Sequence, residues 1–267
     1  MTFLEHLEVL RGHLLRSMAS VGIAAVVVFI FTNFIVDHIL LAPKSVDFFT
    51  NRILCQLGHY FNTDKLCLNA VPFNLINIEM AGQFRINMSL ALYGGLILSA
   101  PYIFWELYRF IMPALQPKER KYSSGMVFYT SALFILGILF GYYMIVPMTL
   151  NFLGGYTISN DIVNQINFKS YIGTITSLIF ATGLVFEMPI LVYFLSKVGI
   201  VTPGFMRKYR KHAIIVILIV AGIITPPDIF SQIMVTIPMY LLFEVSIFIS
   251  ARIEKERNKR EAETAEE

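Results

Sequence analysis

Six apolar segments, most of them long enough to cross a membrane, constrain this chain more than any other feature of its sequence. Charges, prolines and polar clusters separate them into residues 15–36, 86–108, 123–147, 171–196, 213–225 and 232–250. Only helices and closed barrels satisfy their backbone hydrogen bonds in lipid, and runs of this length without strict alternation indicate helices. The composition agrees, because 56% of the residues are hydrophobic and 15% are charged, against about 45–50% and about 25% in ordinary globular proteins. The sequence therefore predicts an all-α polytopic membrane protein with six transmembrane helices.

The fifth apolar segment is too short to cross an undistorted bilayer. As a helix, residues 213–225 would extend over about 20 Å, whereas the hydrocarbon core is about 30 Å thick. The segment is followed at once by Thr225-Pro226-Pro227-Asp228, which cannot continue a helix. We therefore expect spans five and six to form a short hairpin that thins the bilayer or stops inside it.

The distribution of basic residues predicts the orientation of these spans. If the N-terminus is cytoplasmic, sixteen of the 21 Lys and Arg residues lie in cytoplasmic segments and five lie on the opposite side. Both termini are then cytoplasmic, residues 37–85 form a long first periplasmic loop, and residues 148–170 form a second. Residues 1–251 make up the six-span membrane domain, and residues 252–267 a charged cytoplasmic tail that we expect to fray. The formal net charge of +3 is too small to indicate a nucleic-acid partner.

Both cysteines of the chain, Cys55 and Cys67, fall in this first periplasmic loop. Disulfides form in oxidising compartments such as the periplasm. We therefore predict a Cys55–Cys67 disulfide, with two unpaired thiols as the alternative.

Signatures of catalysis are absent from the sequence. It has no His-Glu-x-x-His zinc pair, no Gly-x-Ser-x-Gly elbow and no phosphate-binding Gly-rich loop. Ser124-Gly125 resembles the nucleophile of an intramembrane serine protease, but no later span holds a His that could act as base. His6 and His13 are more simply explained as interfacial residues of an amphipathic N-terminal helix than as metal ligands. We expect no enzymatic activity, no metal and no cofactor.

Four carboxylates near or within the spans are the candidate functional groups. Glu187 is the only charged residue between Tyr171 and Ser196, and a carboxylate at that depth is a functional hypothesis by default. The alternative is a hydrogen bond between spans of the same chain. Glu244 is expected to pair within the fold, and Glu106 to form a local ion pair with Arg109. Glu119 is the sole carboxylate of a basic loop with two prolines, where it could receive a guanidinium or could simply be solvated.

Several motifs follow one another along nearly the whole chain. They are Phe3-Leu4-Glu5-His6-Leu7-Glu8-Val9-Leu10-Arg11, Leu98-Ser99-Ala100-Pro101, Phe110-Ile111-Met112-Pro113-Ala114-Leu115, Glu119-Arg120, Phe186-Glu187-Met188-Pro189, Thr225-Pro226-Pro227-Asp228-Ile229-Phe230-Ser231-Gln232 and Ile237-Pro238-Met239-Tyr240-Leu241-Leu242-Phe243-Glu244. Their order and placement resemble those of the TatC family, the multispanning subunit of the twin-arginine protein translocase.

The resemblance implies a glove-like six-helix bundle in the bacterial inner membrane. Such a protein binds the twin-arginine signal peptides of folded cargo, assembles single-span TatA/TatB-type partners, self-associates in a larger complex and supports export driven by the proton motive force. By the same resemblance, membrane lipids surround it and no nucleic acid binds it.

The resemblance also implies roles for individual residues. Glu119 matches the carboxylate that receives the arginine motif, and Glu187 matches a mid-membrane carboxylate facing partner helices. The residues that line or shape the signal-peptide site are Glu8, Leu10, Arg11 and Phe110. The residues that match positions at span ends and turns are Pro43, Phe84, Pro101, Asp228 and Gln232.

One position departs from the family pattern. The opening motif of the family often carries a second Glu where this chain has Val9, and neighbouring residues on a helix point about 100° apart, so Glu8 cannot occupy the same place without rotation. Either Glu119 carries more of the recognition or Glu8 swings in. The main rival hypothesis is a proton-coupled secondary transporter that uses Glu187, although no inverted repeat supports it.

Overall fold

The computed structural model describes residues 3–60, 74–112, 123–159, 164–225 and 229–265. They divide into two compact units at the junction of Phe180 and Ala181. The α-helices are α1 (Phe3–Ile30), α2 (Thr32–Phe34), α3 (Phe49–Tyr60), α4 (Gly82–Ile111), α5 (Ser123–Phe140), α6 (Val146–Gly155), α7 (Phe168–Phe186), α8 (Met188–Lys197), α9 (Pro203–Lys208), α10 (Arg210–Ile224) and α11 (Ile229–Ala265). The described residues contain two short strands, β1 (Leu75–Ile76) and β2 (Ile166–Asn167). They also contain π-helical turns at Ile35–Leu40 and Gly141–Ile145 and a 3₁₀ turn at Ala42–Lys44.

Five helical segments of the described chain are long and apolar enough to cross a membrane. They are Leu7–Ile30, Gly82–Ile111, Gly125–Gly155, Phe168–Lys197 and Gln232–Lys259. These segments confirm the prediction of an all-helical membrane protein. The fifth predicted span lies in α10, whose 15 residues extend over about 22 Å and fall short of the hydrocarbon thickness, as expected.

In the first unit, α1 and α4 pack against each other as an antiparallel pair. Near the middle of the interface the helices approach so closely that a Cβ atom added at Gly95 would lie 2.9 Å from the backbone nitrogen of Ala25. Near the C-terminal end of α1, the Thr32 hydroxyl donates a hydrogen bond of 2.5 Å to Oδ1 of Asn87, close to the start of α4. Small residues that allow close backbone approach, together with interhelical hydrogen bonds, are the usual means of helix association in lipid.

The third span is interrupted where Pro147 enters the helix. Proline lacks an N–H and clashes with the carbonyl four residues earlier, here that of Tyr143. The π-helical turn Gly141–Ile145 precedes this proline, and the Thr50 hydroxyl donates a hydrogen bond to the freed Tyr143 carbonyl. The ring of Phe48 stacks on that of Tyr143 with 5.7 Å between centroids. These contacts anchor the start of α3 to the end of the third span.

The loops predicted to be periplasmic are ordered against each other. Strands β1 and β2 pair in parallel, with Leu75 opposite Ile166. Beside them, Glu79 accepts a hydrogen bond of 3.0 Å from Lys169 Nζ and forms an ion pair of 3.3 Å with Arg85. The hydrogen bond from Lys169, supported by the charges of Lys169 and Arg85, lowers the pKa of the Glu79 carboxyl from its ordinary value.

The second unit is organised around α11. The apolar contacts between α8, α9 and α11 are centred on Val192, Met206 and Ile247. The Ser196 hydroxyl donates a hydrogen bond of 2.8 Å to Oγ of Ser250 inside this unit. Thr202 caps α9 by accepting a hydrogen bond from the backbone N–H of Phe205, three residues further on, and Pro203 occupies the first helical position.

The helix that contains the sixth predicted span is longer than expected. We expected a sixth span over 232–250 followed by a solvated helix end that frays, and α11 runs as one helix of 37 residues to Ala265. The helix therefore continues well beyond the predicted span. The physical reason lies in the tail composition, because Glu, Lys, Arg and Ala are all strong helix formers, and Arg252 pairs with Glu256 at i,i+4 spacing.

Candidate functional site

A buried carboxylate joins α1 to α4 at the end of their interface opposite the Thr32–Asn87 bond. The side chain of Glu106 on α4 is 1% exposed. Its Oε2 contacts His13 Nδ1 and lies 3.6 Å from Arg16 Nη1, both on α1, and its Oε1 accepts a hydrogen bond of 2.9 Å from the Tyr102 hydroxyl. We call these four residues the Glu106 cluster. Each carboxylate oxygen has a partner, as a charge at this depth requires.

The prediction that Glu106 pairs with Arg109 is wrong. We expected a local ion pair with Arg109, three residues further along the same helix. Arg109 instead places its guanidinium over the ring of Trp105, with 4.8 Å from Cζ to the centroid. A residue buried in a helix–helix interface turns toward the neighbouring helix, so its basic partners, His13 and Arg16, lie on α1. The spacing of His13 and Arg16, which puts both on one helical face, was the available sequence signal.

The structure brings part of the predicted signal-peptide site to the same end of this interface. The ring of Phe110, one turn beyond Glu106 on α4, lies 6.1 Å from the ring of His13 in an edge-to-face arrangement. Leu10 precedes His13 by three residues, so it lies within about 60° of His13 around α1. In an antiparallel pair it therefore falls at the level of Phe110, and it is 39% exposed. Leu10 and Phe110 can thus contribute to one surface.

Two further residues of the predicted site lie on the other side of α1. Glu8 and Arg11 are exposed, and their helical positions are about 140° and about 160° from that of His13. Val9, by contrast, lies about 40° from His13 and so shares the face that meets α4. Glu119 lies outside the described residues, and its role stays a prediction.

Glu187 interrupts the fourth span between α7 and α8. Pro189, at the second position of α8, cannot donate a backbone hydrogen bond, and the helix breaks two residues earlier at this carboxylate. Both side-chain oxygens of Glu187 are buried, and no described residue gives them a hydrogen bond. We expected the carboxylate to face lipid or a partner helix, and its contact with a partner stays a prediction.

Glu244 is paired within the second unit, in agreement with our expectation. Its Oε2 accepts a hydrogen bond of 2.7 Å from Arg210, and its Oε1 one of 2.9 Å from the Tyr240 hydroxyl. Nearby, Gln232 donates a hydrogen bond of 3.1 Å to the Leu218 carbonyl and so joins the start of α11 to α10. Asp228 lies outside the described residues.

The remaining predicted positions lie on the first unit. Pro43 is buried in the 3₁₀ turn, where its carbonyl accepts a hydrogen bond of 3.3 Å from Asn51. Pro101 is exposed within α4. Phe84 is 63% exposed and lines a cavity of about 430 Å³, whose polar lining residues are Thr32, Asn33, Asp37, Gln83 and Asn87.

Cys55 is disulfide-bonded, and Cys67 lies outside the described residues, so the pairing of the two stays a prediction. In the described part of the chain, no three His, Cys, Asp or Glu side chains come together in a way that could hold a metal ion.

Comparisons with known proteins agree on one family. A family model described as Sec-independent protein translocase protein (TatC) matches residues 5–238. The Sec-independent protein translocase protein TatC of Blattabacterium sp. subsp. Periplaneta americana is 42% identical over 261 residues, which cover 96% of this chain and 97% of that protein. TatCy of Bacillus subtilis is 34% identical over 264 residues, with 98% and 93% covered.

Solved structures agree with this result. The crystal structure of the twin-arginine translocase receptor TatC in DDM matches with a TM-score of 0.72 and 29% sequence identity, covering 92% of this chain and 99% of that one. A second crystal structure of the same receptor matches with a TM-score of 0.67 and 28% identity.

Proposed function

The chain belongs to the TatC family of Sec-independent protein translocase proteins, and we propose that it is the receptor subunit that binds the twin-arginine signal peptides of folded cargo. As a member it is a multi-pass membrane protein and a non-enzymatic component of a protein translocase. A secondary transporter that uses Glu187 is therefore not the function we propose.

The observation that carries the proposal is the surface at the end of the α1–α4 interface. Phe110 and the exposed Leu10 offer apolar area there, and α4 leads directly into the basic loop that contains Glu119. A peptide with two arginines beside apolar residues needs both features. A carboxylate binds a guanidinium through two parallel, charge-assisted hydrogen bonds, which an ammonium group cannot reproduce. Recognition by Glu119 would therefore distinguish arginine from lysine.

The proposal includes a location and partners. The protein lies in the bacterial inner membrane with both termini in the cytoplasm, in a glove-like arrangement of six spans. Single-span TatA/TatB-type partners assemble on it, and Glu187 contributes to their recruitment. Copies of the chain associate in the larger complex.

Photocrosslinking from position 118, beside Glu119, tests the receptor role. A photoreactive amino acid in place of Glu119 removes the carboxylate, so the probe is placed at Lys118 and the carboxylate is kept. A twin-arginine precursor should crosslink, and its twin-lysine version should not. A probe at Ile158, which is 89% exposed in the loop predicted to be periplasmic, is the matched control and should capture neither. Equal crosslinking of both precursors at position 118 would overturn the receptor assignment.

A second test uses substitution. Glu119→Ala and Glu119→Arg should abolish binding of the twin-arginine precursor while the protein remains inserted and folded. A charge-assisted pair of this kind contributes about 1.5–3 kcal/mol, which corresponds to a factor of about ten to a hundred in affinity. Glu8→Ala should have a smaller effect because Glu8 lies on the other side of α1. Normal export by both Glu119 variants would contradict the proposal.

A further inference from the structure

The Glu106 cluster is built around a carboxylate that is 1% exposed, and none of the proposed contacts with the signal peptide involves that carboxylate. Glu106 is the one acidic or basic side chain that is fully buried in the described chain. Placing a carboxylate at this depth is costly even when it is paired, because the ions give up their hydration. A Leu or Ile at position 106 would fill the same interface without that cost. The carboxylate therefore has a consequence that apolar packing would not supply.

The consequence is that the carboxylate specifies the rotation of α1 about its own axis. Apolar contacts between helices are weakly directional, so an apolar interface tolerates small rotations of α1 about its own axis. The contacts of Glu106 with His13 and Arg16 are directional, and these two residues are three apart on α1. Because one carboxylate holds two points on the same helical face, rotation of α1 by even a quarter turn would break both contacts.

On the α4 side, the carboxylate is itself held in place. Tyr102, one turn earlier on α4, donates a hydrogen bond to the oxygen that does not meet α1. The carboxyl group thus has one oxygen fixed by its own helix and the other directed at α1, which is the arrangement of a positioning group.

The position of the cluster connects it to the proposed signal-peptide site. The His13 ring contacts Glu106 with one nitrogen and packs edge-to-face against Phe110. Leu10 lies about one turn before His13, toward the N-terminus of α1. The rotation that the cluster selects turns Leu10 toward Phe110 and leaves Glu8 and Arg11 on the open side of the helix.

We propose that Glu106 is a positioning residue for signal-peptide recognition: through His13 and Arg16 it fixes the rotation of α1, and so presents Leu10 and Phe110 as one surface. This inference rests on the proposed receptor function. Glu106 acts through α1 and need not touch the peptide.

The test measures the affinity of a fluorescent twin-arginine signal peptide for the full-length protein in lipid nanodiscs, together with the melting temperature of each variant. Glu106→Ala and His13→Ala should each weaken peptide binding about tenfold, which corresponds to 1.4 kcal/mol. The double variant should bind no more weakly than either single variant, because both remove the same constraint. Glu106→Gln keeps the acceptor for Tyr102 and a polar contact for His13, so it should restore binding to within about threefold of the original protein.

A matched control comes from the opposite end of the same interface. Asn87→Leu removes the Thr32–Asn87 hydrogen bond and should lower the melting temperature without lowering peptide affinity. If Asn87→Leu weakens peptide binding as much as Glu106→Ala at a similar loss of melting temperature, Glu106 is merely structural and the inference is overturned. Unchanged affinity in a folded Glu106→Ala would overturn it too.

A comparison of two peptides on the original protein distinguishes failure of the positioning role from failure of the receptor function. A twin-lysine peptide should bind far more weakly than the twin-arginine peptide. If the original protein does not discriminate between them, the receptor proposal fails whatever Glu106 does. If it discriminates and the Glu106 variants bind normally, only the positioning role fails.

Discussion

Replacing Glu187 by methionine should make the protein more stable, although it removes a polar group that we propose to be functional. Both oxygens of this carboxylate are buried, and no described residue gives them a hydrogen bond. A buried polar group left without a partner costs about 1–3 kcal/mol. Methionine has a similar length and no polar oxygen, and its flexible chain fits irregular spaces. Glu187→Met should therefore raise the free energy of unfolding by about 1–3 kcal/mol.

The assay is thermal unfolding of the purified protein in detergent. A change of 1 kcal/mol shifts the melting temperature by about 2–4 °C in a chain of roughly this size, so the expected increase for Glu187→Met is about 2–12 °C. Glu244→Met is the matched control. It removes hydrogen bonds of 2.7 Å to Arg210 and 2.9 Å to Tyr240 and should lower the melting temperature. If Glu187→Met also lowers it, the carboxylate contributes to stability and the reasoning from its missing partners is refuted.

Three further predictions follow from single features. Glu187→Ala should keep cargo binding but weaken co-purification of a single-span partner, while Glu187→Gln, which keeps a hydrogen-bond acceptor, should retain much of it; normal partner recovery with Glu187→Ala would contradict the assigned role. Glu79→Gln should have a lower melting temperature than the original protein at pH 7. Because the pKa of Glu79 is lowered in the folded state, this difference in melting temperature should shrink as the pH falls from about 4.5 through that lowered pKa, and then vanish. A difference that stays constant with pH would exclude the ion pair as its cause. Cys55 and Cys67 should resist maleimide labelling until a reductant is added, and full labelling of both without reductant would exclude the disulfide.

The spans and their class could be predicted from the sequence because hydropathy is a local property. The hydropathy of residues 86–108 is enough to indicate a transmembrane helix, so this helix could be identified without knowledge of the elements that pack against it. The short fifth helix was predictable for the same reason, since its length and the two prolines after it are adjacent in sequence. The full length of the sixth helix could not be predicted from hydropathy. Beyond residue 250, helix propensity and an i,i+4 ion pair favour continuation of the helix.

The α1–α4 register could not be predicted because the two helices are separated by the 51 residues 31–81. A short loop would have fixed which residues lie opposite each other, whereas this loop leaves the register free. The register depends instead on close packing at Gly95 and on hydrogen bonds near either end. Sequence reasoning considered only the nearest basic residue, Arg109, and so assigned Glu106 a partner on its own helix.

The number of partners distinguishes three carboxylates that the sequence presents alike. Glu106, Glu187 and Glu244 each stand within an apolar segment, and hydropathy assigns all three the same cost. In the structure, Glu106 has contacts with three side chains and Glu244 with two, whereas Glu187 has none among the described residues. The first two therefore have interactions that offset their desolvation inside the chain. For Glu187 the described residues supply no such interaction, and this is the physical reason to test whether the proposed partner helix supplies one.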